Sequence, residues 1–536
     1  MSCSKAKEVV WNVSTCADRQ SPPDMVPWGR WRDSVNVVLD GESALARGGW
    51  TRLGAEFESE PNPDLHGTAV KTLFAWSREW GGRLLYAGSQ TGVHSWSPTS
   101  GVWTALPGMV PLESGERRSF AALGEYLIIA GGLGGATAEG IRAYHVDLGT
   151  TGTIPDLTTI ALTAANLTIE WRGVIFLLDV VMGGVRVGHR AVWSGRNDPL
   201  GYAPSDDSVA GQYDLDPGEI ILGAAISGDS LYILTDRSIW RVVATGDDEV
   251  FRFQQVYRSD SGHRCLWAPY TLDVLPDGNL IYLGDNGRIY IYSPYQQTPE
   301  EPEWIKVGTP GVKKGLSACR LFFGKVCDNG ATVEYLLSFP TSSGDDAPTQ
   351  TYAIDFERTC VTRIDHGFWC AHTWYSFVSE CPRPTQLILS SAGDDSLKEA
   401  RFFDIFTRER WDPGTSTWVR DQFDTQYLTG ALGFDLTGSD KQMTKLDIHA
   451  QVPAGLDPGE VQLYVGHSNY PTDPSAYFTN CPIAWYALSS RDVPCGLAAN
   501  VPLPWRFVVR GRFLYFKVVI RGPCVLSRIT ASVEVV

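Results

Sequence analysis

Several runs of paired acids are the first residues here that could do chemistry: Asp206-Asp207, Asp214 with Asp216, Asp247-Asp248-Glu249 and Asp394-Asp395. Two carboxylates flanking a sugar linkage are the machinery of glycoside hydrolysis, one as acid and the other as base or nucleophile. Each of these groups, however, sits in a polar, turn-like stretch, where Asp is ordinarily a solvated loop residue. A second cluster, Cys360, His366, Cys370, His372 and Cys381, has the residue types of a metal site. It lacks the closely paired ligands, such as C-x-x-C, with which zinc sites grip their ion. The eleven cysteines form no ladder of a small secreted scaffold and are expected to be mostly buried thiols. No H-E-x-x-H, G-x-S-x-G or P-loop occurs, and the scattered histidines offer no catalytic pairing. The reading is therefore no enzyme: no catalytic, metal or cofactor-binding residue is assigned, no cofactor is implied, and no hydrolase activity is expected.

Recognition chemistry is more visible near the start. SPPDMVPWGRWRDS (21–34) has prolines that block helix and sheet interior alike, so it reads as an extended arm. Trp28, Arg30, Trp31, Arg47 and Trp50 are the candidate interface residues, because Trp and Arg dominate interface hot spots. The arm either docks on a neighbouring subunit or folds back on its own chain.

The elements that must position these groups are strands. In the 219–294 stretch, buried-looking strands end in ISGDS and LPDGN, short apolar strands follow (LYIL, LIYL), and after TDRS and GDNG come IWRVV and RIYIY. The turns carry Gly, Asp or Asn, which tolerate the positive φ of tight hairpins. Two copies of one meander unit, about 45 residues apart, are the mark of a β-propeller array. Similar units run over 70–107, 119–154, 161–195, 318–366 and 368–413. The segment 396–411 also fits an amphipathic helix, but its place in a blade and the DPGTSTW turn after it favour strand. From about 419 the period-2 strands LDIHAQV and VQLYVG and the apolar FLYFKVVI suit an antiparallel sandwich. The expected chain is all-β: an extended N-terminal arm (1–66), a β-propeller of about six or seven blades (67–418) and a C-terminal β-sandwich (419–536). The aromatic- and proline-rich loop 468–496 is long enough to be a contact element.

Composition limits the partners. With 45 basic and 61 acidic side chains the net charge is −16, and no basic run exceeds Lys313-Lys314. Stable nucleic-acid binding needs clustered Lys and Arg, so measurable duplex-DNA binding at physiological salt is not expected. No apolar run is long enough to span a bilayer, and the first twenty residues have no signal-peptide core, so synthesis in the cytosol is the simplest reading.

Three segments carry a resemblance. Val192, Trp193, Ser194, Asp198 and Pro199, then Ser238 to Trp240, then Leu283 to Tyr290 resemble the propeller of bacteriophage tail hub and nozzle proteins. NVVLDGESALARGGWTRLG (36–54) is similar to that family's opening, and VVRGRFLYFKVVIRGPCVLSRITASVEV (508–535) to its closing β-domain. The resemblance implies a structural virion protein of the phage tail, made in the host cytoplasm. It would form a homo-oligomer, a hexameric ring, around the genome exit channel, with the DNA passing without specific binding. Adaptor or portal-proximal tail proteins and tail fibres or tip proteins would be its neighbours. Arg residues are expected at the subunit joints, paired with carboxylates. The alternative reading is a carbohydrate-binding or glycoside-hydrolysing propeller, which needs converging acids.

Overall fold

In the computed structural model, residues 7–535 are described except for 13–32, 53–68, 133–139, 306–318, 375–385, 401–406, 429–440, 453–458, 469–483, 494–500 and shorter stretches; for 7–52 and 398–425 only the backbone is described. Among the described residues the chain is almost entirely strand, with one short α-helix, Pro155–Thr159.

Six antiparallel meanders, spanning 70–105, 119–152, 162–214, 221–258, 273–300 and 323–364, are followed by a seventh sheet over 368–422 that takes in one strand from the N-terminal segment. The expected strands around LYIL and LIYL are Ser230–Thr235 and Leu280–Leu283, every residue of both buried. The first strand of each meander packs against the first strand of the next, and Phe368–Trp374 of the last returns to Val70–Arg78 of the first. The sheets therefore close a ring: a seven-bladed β-propeller whose inner strands surround the axis. Apolar clusters between neighbouring blades hold it, and the one joining blades 6, 7 and 1 includes Phe323, Leu336, Phe368, Leu387, Val70 and Trp96. Burying each such side chain contributes roughly 1.5–3 kcal/mol.

The described parts of the N-terminal segment are strands paired with later parts of the chain. Trp50–Arg52 inserts into blade 7, antiparallel to Leu397–Ala400 and beside Thr407–Asp412. Both of these lie in the segment whose pattern also fitted a helix, and both are strands. Asp33–Val35 pairs with blade 6 at Arg363 and with Asp424–Leu428 of the C-terminal domain, so blade 6 continues into that domain as one ten-stranded sheet. Lys7–Asn12 runs antiparallel to Val525–Val535, and the hairpin Val37–Asp40/Ser43–Ala46 joins the same strand. The expected boundary at 418 cuts the last propeller strand, Thr417–Gln422, and the sandwich begins with Asp424–Leu428. A strand contributed from far away in sequence moves a domain limit that local pattern cannot see.

The sandwich packs Phe513–Arg521 and Gly459–Ser468 against Lys441–Gln451, Val501–Gly511 and Val525–Val535. Leu446, Ile448, Val461, Leu463, Trp505, Leu514, Phe516 and Ile529 fill the space between the two sheets. The expected contact loop is partly strand, since Ala484–Ala487 and Arg491–Val493 both pair with Gly459–Ser468.

Candidate functional site

The propeller axis holds the most unusual chemistry. Glu116, Arg117 and Arg118 precede the inner strand of blade 2 and read as a solvated charged run, yet all three are buried. Gly131 and Gly132 make room for them. Both have positive φ, and a Cβ at Gly131 would lie 2.5 Å from the Arg117 carbonyl oxygen.

From blade 2 the Arg117 guanidinium crosses the axis. It donates to the carbonyls of Lys71 (3.0 Å) in blade 1 and Trp369 (2.6 Å) in blade 7, and to Arg320 (3.3 Å) and Phe322 (3.5 Å) at the start of blade 6. Its cation lies 4.3 Å from the ring centre of Tyr270, just ahead of blade 5. The turn carrying Tyr270 is pinned by Tyr335, whose hydroxyl donates to the Thr271 carbonyl at 2.6 Å. Burial holds the Arg117 pKa below the ordinary guanidinium value, with Tyr270 and Cys370 opposing. A side chain that touches blades 1, 5, 6 and 7 from blade 2 closes the axial hole at this level.

Three residues further along from Tyr270, Phe322 and Trp369 lies a second polar layer. Asp273 of blade 5 accepts from Lys325 Nζ (3.0 Å) and from the Val326 amide (2.6 Å) of blade 6. His372 of blade 7 keeps its Nδ1 2.7 Å from the Thr373 carbonyl. Burial, helped by the Lys325 charge, pushes the His372 pKa down to about 4, while Thr373 and Asp273 pull the other way.

This layer makes stability depend on pH. The folded His372 binds a proton more weakly than the unfolded one, so the unfolded state carries more protons between about pH 6.5 and 4. Its contribution is complete above that window and is lost as pH falls through it, about 3 kcal/mol in all. His372→Gln should flatten the acid limb of a pH–stability curve over that range; an unchanged limb would show that His372 is not its source.

The candidates named from sequence do not converge. Asp214 is tied to Arg190 on the outer strands of blade 3, and Asp216 accepts from Gln255 and Arg258. Asp206-Asp207, Asp247-Asp248-Glu249 and Asp394-Asp395 lie outside the described residues, as do Cys381, Trp28, Arg30, Trp31 and Arg47. Trp50 begins the strand that enters blade 7. Cys360 packs in the sandwich core, whereas Cys370 sits between blades with its thiol against the Val70 carbonyl. His366 faces Ser391 Oγ at 2.8 Å. Among the described residues no three His, Cys, Asp or Glu side chains are placed to hold a metal, and the five described cysteines are buried free thiols.

The motifs behind the tail-protein resemblance are structural joints. Trp193 donates to the Val209 carbonyl at 2.6 Å, Ser194 Oγ accepts from the Ile175 amide at 3.0 Å, and Asp198 caps its own turn. Trp240 Nε1 donates to Ser238 Oγ at 2.7 Å, and Ser238 with Thr235 donates to the buried Glu219 carboxylate. The Arg117 plug escaped sequence reading, and the Gly131-Gly132 pair just downstream was the signal that could have marked it.

One open cleft, of about 930 Å³, lies at the outer edge of blade 5, where Tyr290, Tyr295, Glu300, Glu301 and Glu303 line it together with Arg264.

No protein-family model matches the chain, and no curated protein does. Several solved structures show a weak likeness to it. YCF48 bound to D1 peptide is 10% identical, covers 66% of this chain and 95% of its own, and has a TM-score of 0.38. The Neurospora crassa Pan2 WD40 domain is 10% identical, with 68% and 96% covered and a TM-score of 0.37. The RRP9 WD40 repeats are 8% identical, with 67% and 99% covered and a TM-score of 0.38. The likeness is one of fold only. The closed ring of sheets makes the chain an all-β protein built on a β-propeller, and no helix among its described residues is long and apolar enough to cross a membrane.

Proposed function

We propose that this chain is a structural virion protein, a subunit of the bacteriophage tail nozzle or hub ring that lines the genome exit path and attaches other tail components. The observation that supports this most is the fusion of propeller and sandwich through Asp33–Val35 into one continuous sheet. A backbone ladder running across two domains suppresses hinge motion, which suits a wall that bears load. With Arg117 closing the propeller axis, the DNA path runs between subunits. The tail-protein resemblance, in matching order from residue 36 to 535, supplies the ring, six copies of it, and the neighbours.

Native mass spectrometry and negative-stain imaging of the purified protein test this reading. A closed cyclic assembly, with six subunits, is the expected result. A monomer at every concentration up to that of an assembling particle would sink it.

The carbohydrate reading has one observation behind it, the exposed Tyr295 beside the blade 5 acids. Glu301 there is neutralised by Arg288 at 2.6 Å, which removes one acid from any catalytic pair. Release of reducing sugar from host surface polysaccharide, abolished by a single Glu substitution, would favour it over the structural role.

A further inference from the structure

Blade 5 ends early. Its fourth strand is only Pro299–Glu300, which pairs with Ile291 and Tyr292 and stops short of Ile289 and Tyr290. Fourth strands elsewhere in the propeller run longer, as in Phe251–Arg258 of blade 4. The missing length leaves the cleft of about 930 Å³, floored by Tyr290 and Ile291 and edged by Glu300, Glu301 and Glu303; Arg264 lines it too and Arg288 pairs with Glu301, so Glu300 and Glu303 are the acids outside that pair. On its rim Tyr295 is 93% exposed, the most exposed large apolar residue among those described.

The sandwich presents the opposite surface. Val501–Gly511 is an edge strand, and its side chains alternate as a half-buried strand requires. Trp505 and Val509 face the core, while Pro502, Pro504, Arg506, Val508 and Arg510 are exposed, Val508 at 64%. The neighbouring strand places Lys445 opposite Arg506, and Arg528 beyond it is exposed too. In this register the face carries Lys445, Arg506, Arg510 and Arg528, together with Asp447, which Lys445 already engages at 2.5 Å, and the positions of Glu534 and Glu8 on the strands beyond. The edge strand itself carries Arg506 and Arg510 and no acid, a local exception on a chain of net charge −16.

We propose that the basic outer face of strand Val501–Gly511 docks into the acidic blade 5 cleft of a second copy of this chain. The contact is heterologous, since the two patches differ, and repetition of a heterologous contact builds a ring when the rotation closes. Opposite charge steers and registers the docking, and Arg is a residue enriched in interface cores. Val508 and Tyr295 supply the apolar contact that each surface now leaves in water. The prolines and Val508 interrupt the cationic row, which fits a protein partner better than a phosphate backbone, where affinity comes from neutralised charge alone. The inference rests on the ring reading above but assigns the surfaces that reading leaves open.

Charge reversal tests it on the full-length chain. Arg506→Glu with Arg510→Glu, and separately Glu300→Lys with Glu303→Lys, should each weaken the contact at least about 100-fold, because like charges then meet. In sedimentation velocity both variants should run as monomers where the wild type forms rings, with unaltered circular dichroism and melting. Mixing the two variants in equal amounts, or combining all four reversals in one chain, should restore assembly. If both double variants assemble like the wild type, these surfaces are not the joint although the ring stands. If the wild type itself never assembles, the ring reading fails and takes the joint with it. If assembly is unchanged while duplex-DNA retention by the wild type is lost on reversing Arg506 and Arg510, the basic face is a nucleic-acid surface and the proposal is overturned.

Discussion

Arg117→Ala is expected to destabilise the propeller by about 3 kcal/mol or more, because it strips the hydrogen-bond donor from buried carbonyls in three blades. Each orphaned buried acceptor costs about 1–3 kcal/mol, and four carbonyls surround this guanidinium. Part of that loss is returned, since a buried cation with no carboxylate among these contacts disappears as well. Lysine is not a conservative replacement here. It carries the charge but not the planar fork, so Arg117→Lys cannot reach blades 1, 6 and 7 together and should recover only part of the stability. The environment of Trp369, whose carbonyl takes the shortest of these bonds, should change with the mutation. Urea unfolding followed by tryptophan fluorescence measures both. An Arg117→Ala protein within about 0.5 kcal/mol of the wild type, the range of ordinary surface substitutions, would show that the plug is decoration.

Deleting residues 1–35 should have a comparable or larger effect, but on the other domain. The deletion removes Lys7–Asn12, which makes six residue pairs with Val525–Val535, and Asp33–Val35, which among the described strands links blade 6 to the sandwich. At about 1 kcal/mol net per ladder hydrogen bond, the first strand alone is worth roughly 5 kcal/mol. The loss also bares the edges of Val525–Val535 and Asp424–Leu428, and an unpaired edge is a template for aggregation. The truncated protein is expected to melt earlier, to be cleaved faster by protease in the C-terminal region, and to assemble poorly. A truncated chain with wild-type melting and protease resistance would mean that the N-terminal strands hold nothing together.

These two sites differ in how far the sequence announces them. The meanders of blades 4 and 5 were legible because their information is local. A turn such as Leu275–Asn279 closes by itself, with Gly278 at φ +84°, where a side chain would be strained, and the Leu275 amide bonded to the Asn279 carbonyl. The apolar runs Ser230–Thr235 and Leu280–Leu283 are buried on both faces, so they read as strands without any knowledge of their neighbours. Ser238 and Trp240 were visible as a motif, but Glu219, which accepts from the Ser238 hydroxyl that Trp240 bonds, lies nineteen residues upstream of Ser238 and nothing in the spacing connects them.

What the sequence determined by itself was the all-β class, the blade rhythm and the presence of a different antiparallel unit at the C-terminus. All three follow from side-chain alternation and turn chemistry, which act within a few residues. Tertiary structure alone decided the seven-fold closure, the route of the N-terminal strands and the fate of Arg117. Asp33–Val35 is too short to show a period, and it is a strand only because Arg363 and Tyr427 present open ladder edges on either side of it. Glu116-Arg117-Arg118 has the composition of a solvated loop. Its burial is tolerable only after the ring has closed, when carbonyls from blades distant in sequence converge on one guanidinium and replace the water it has lost.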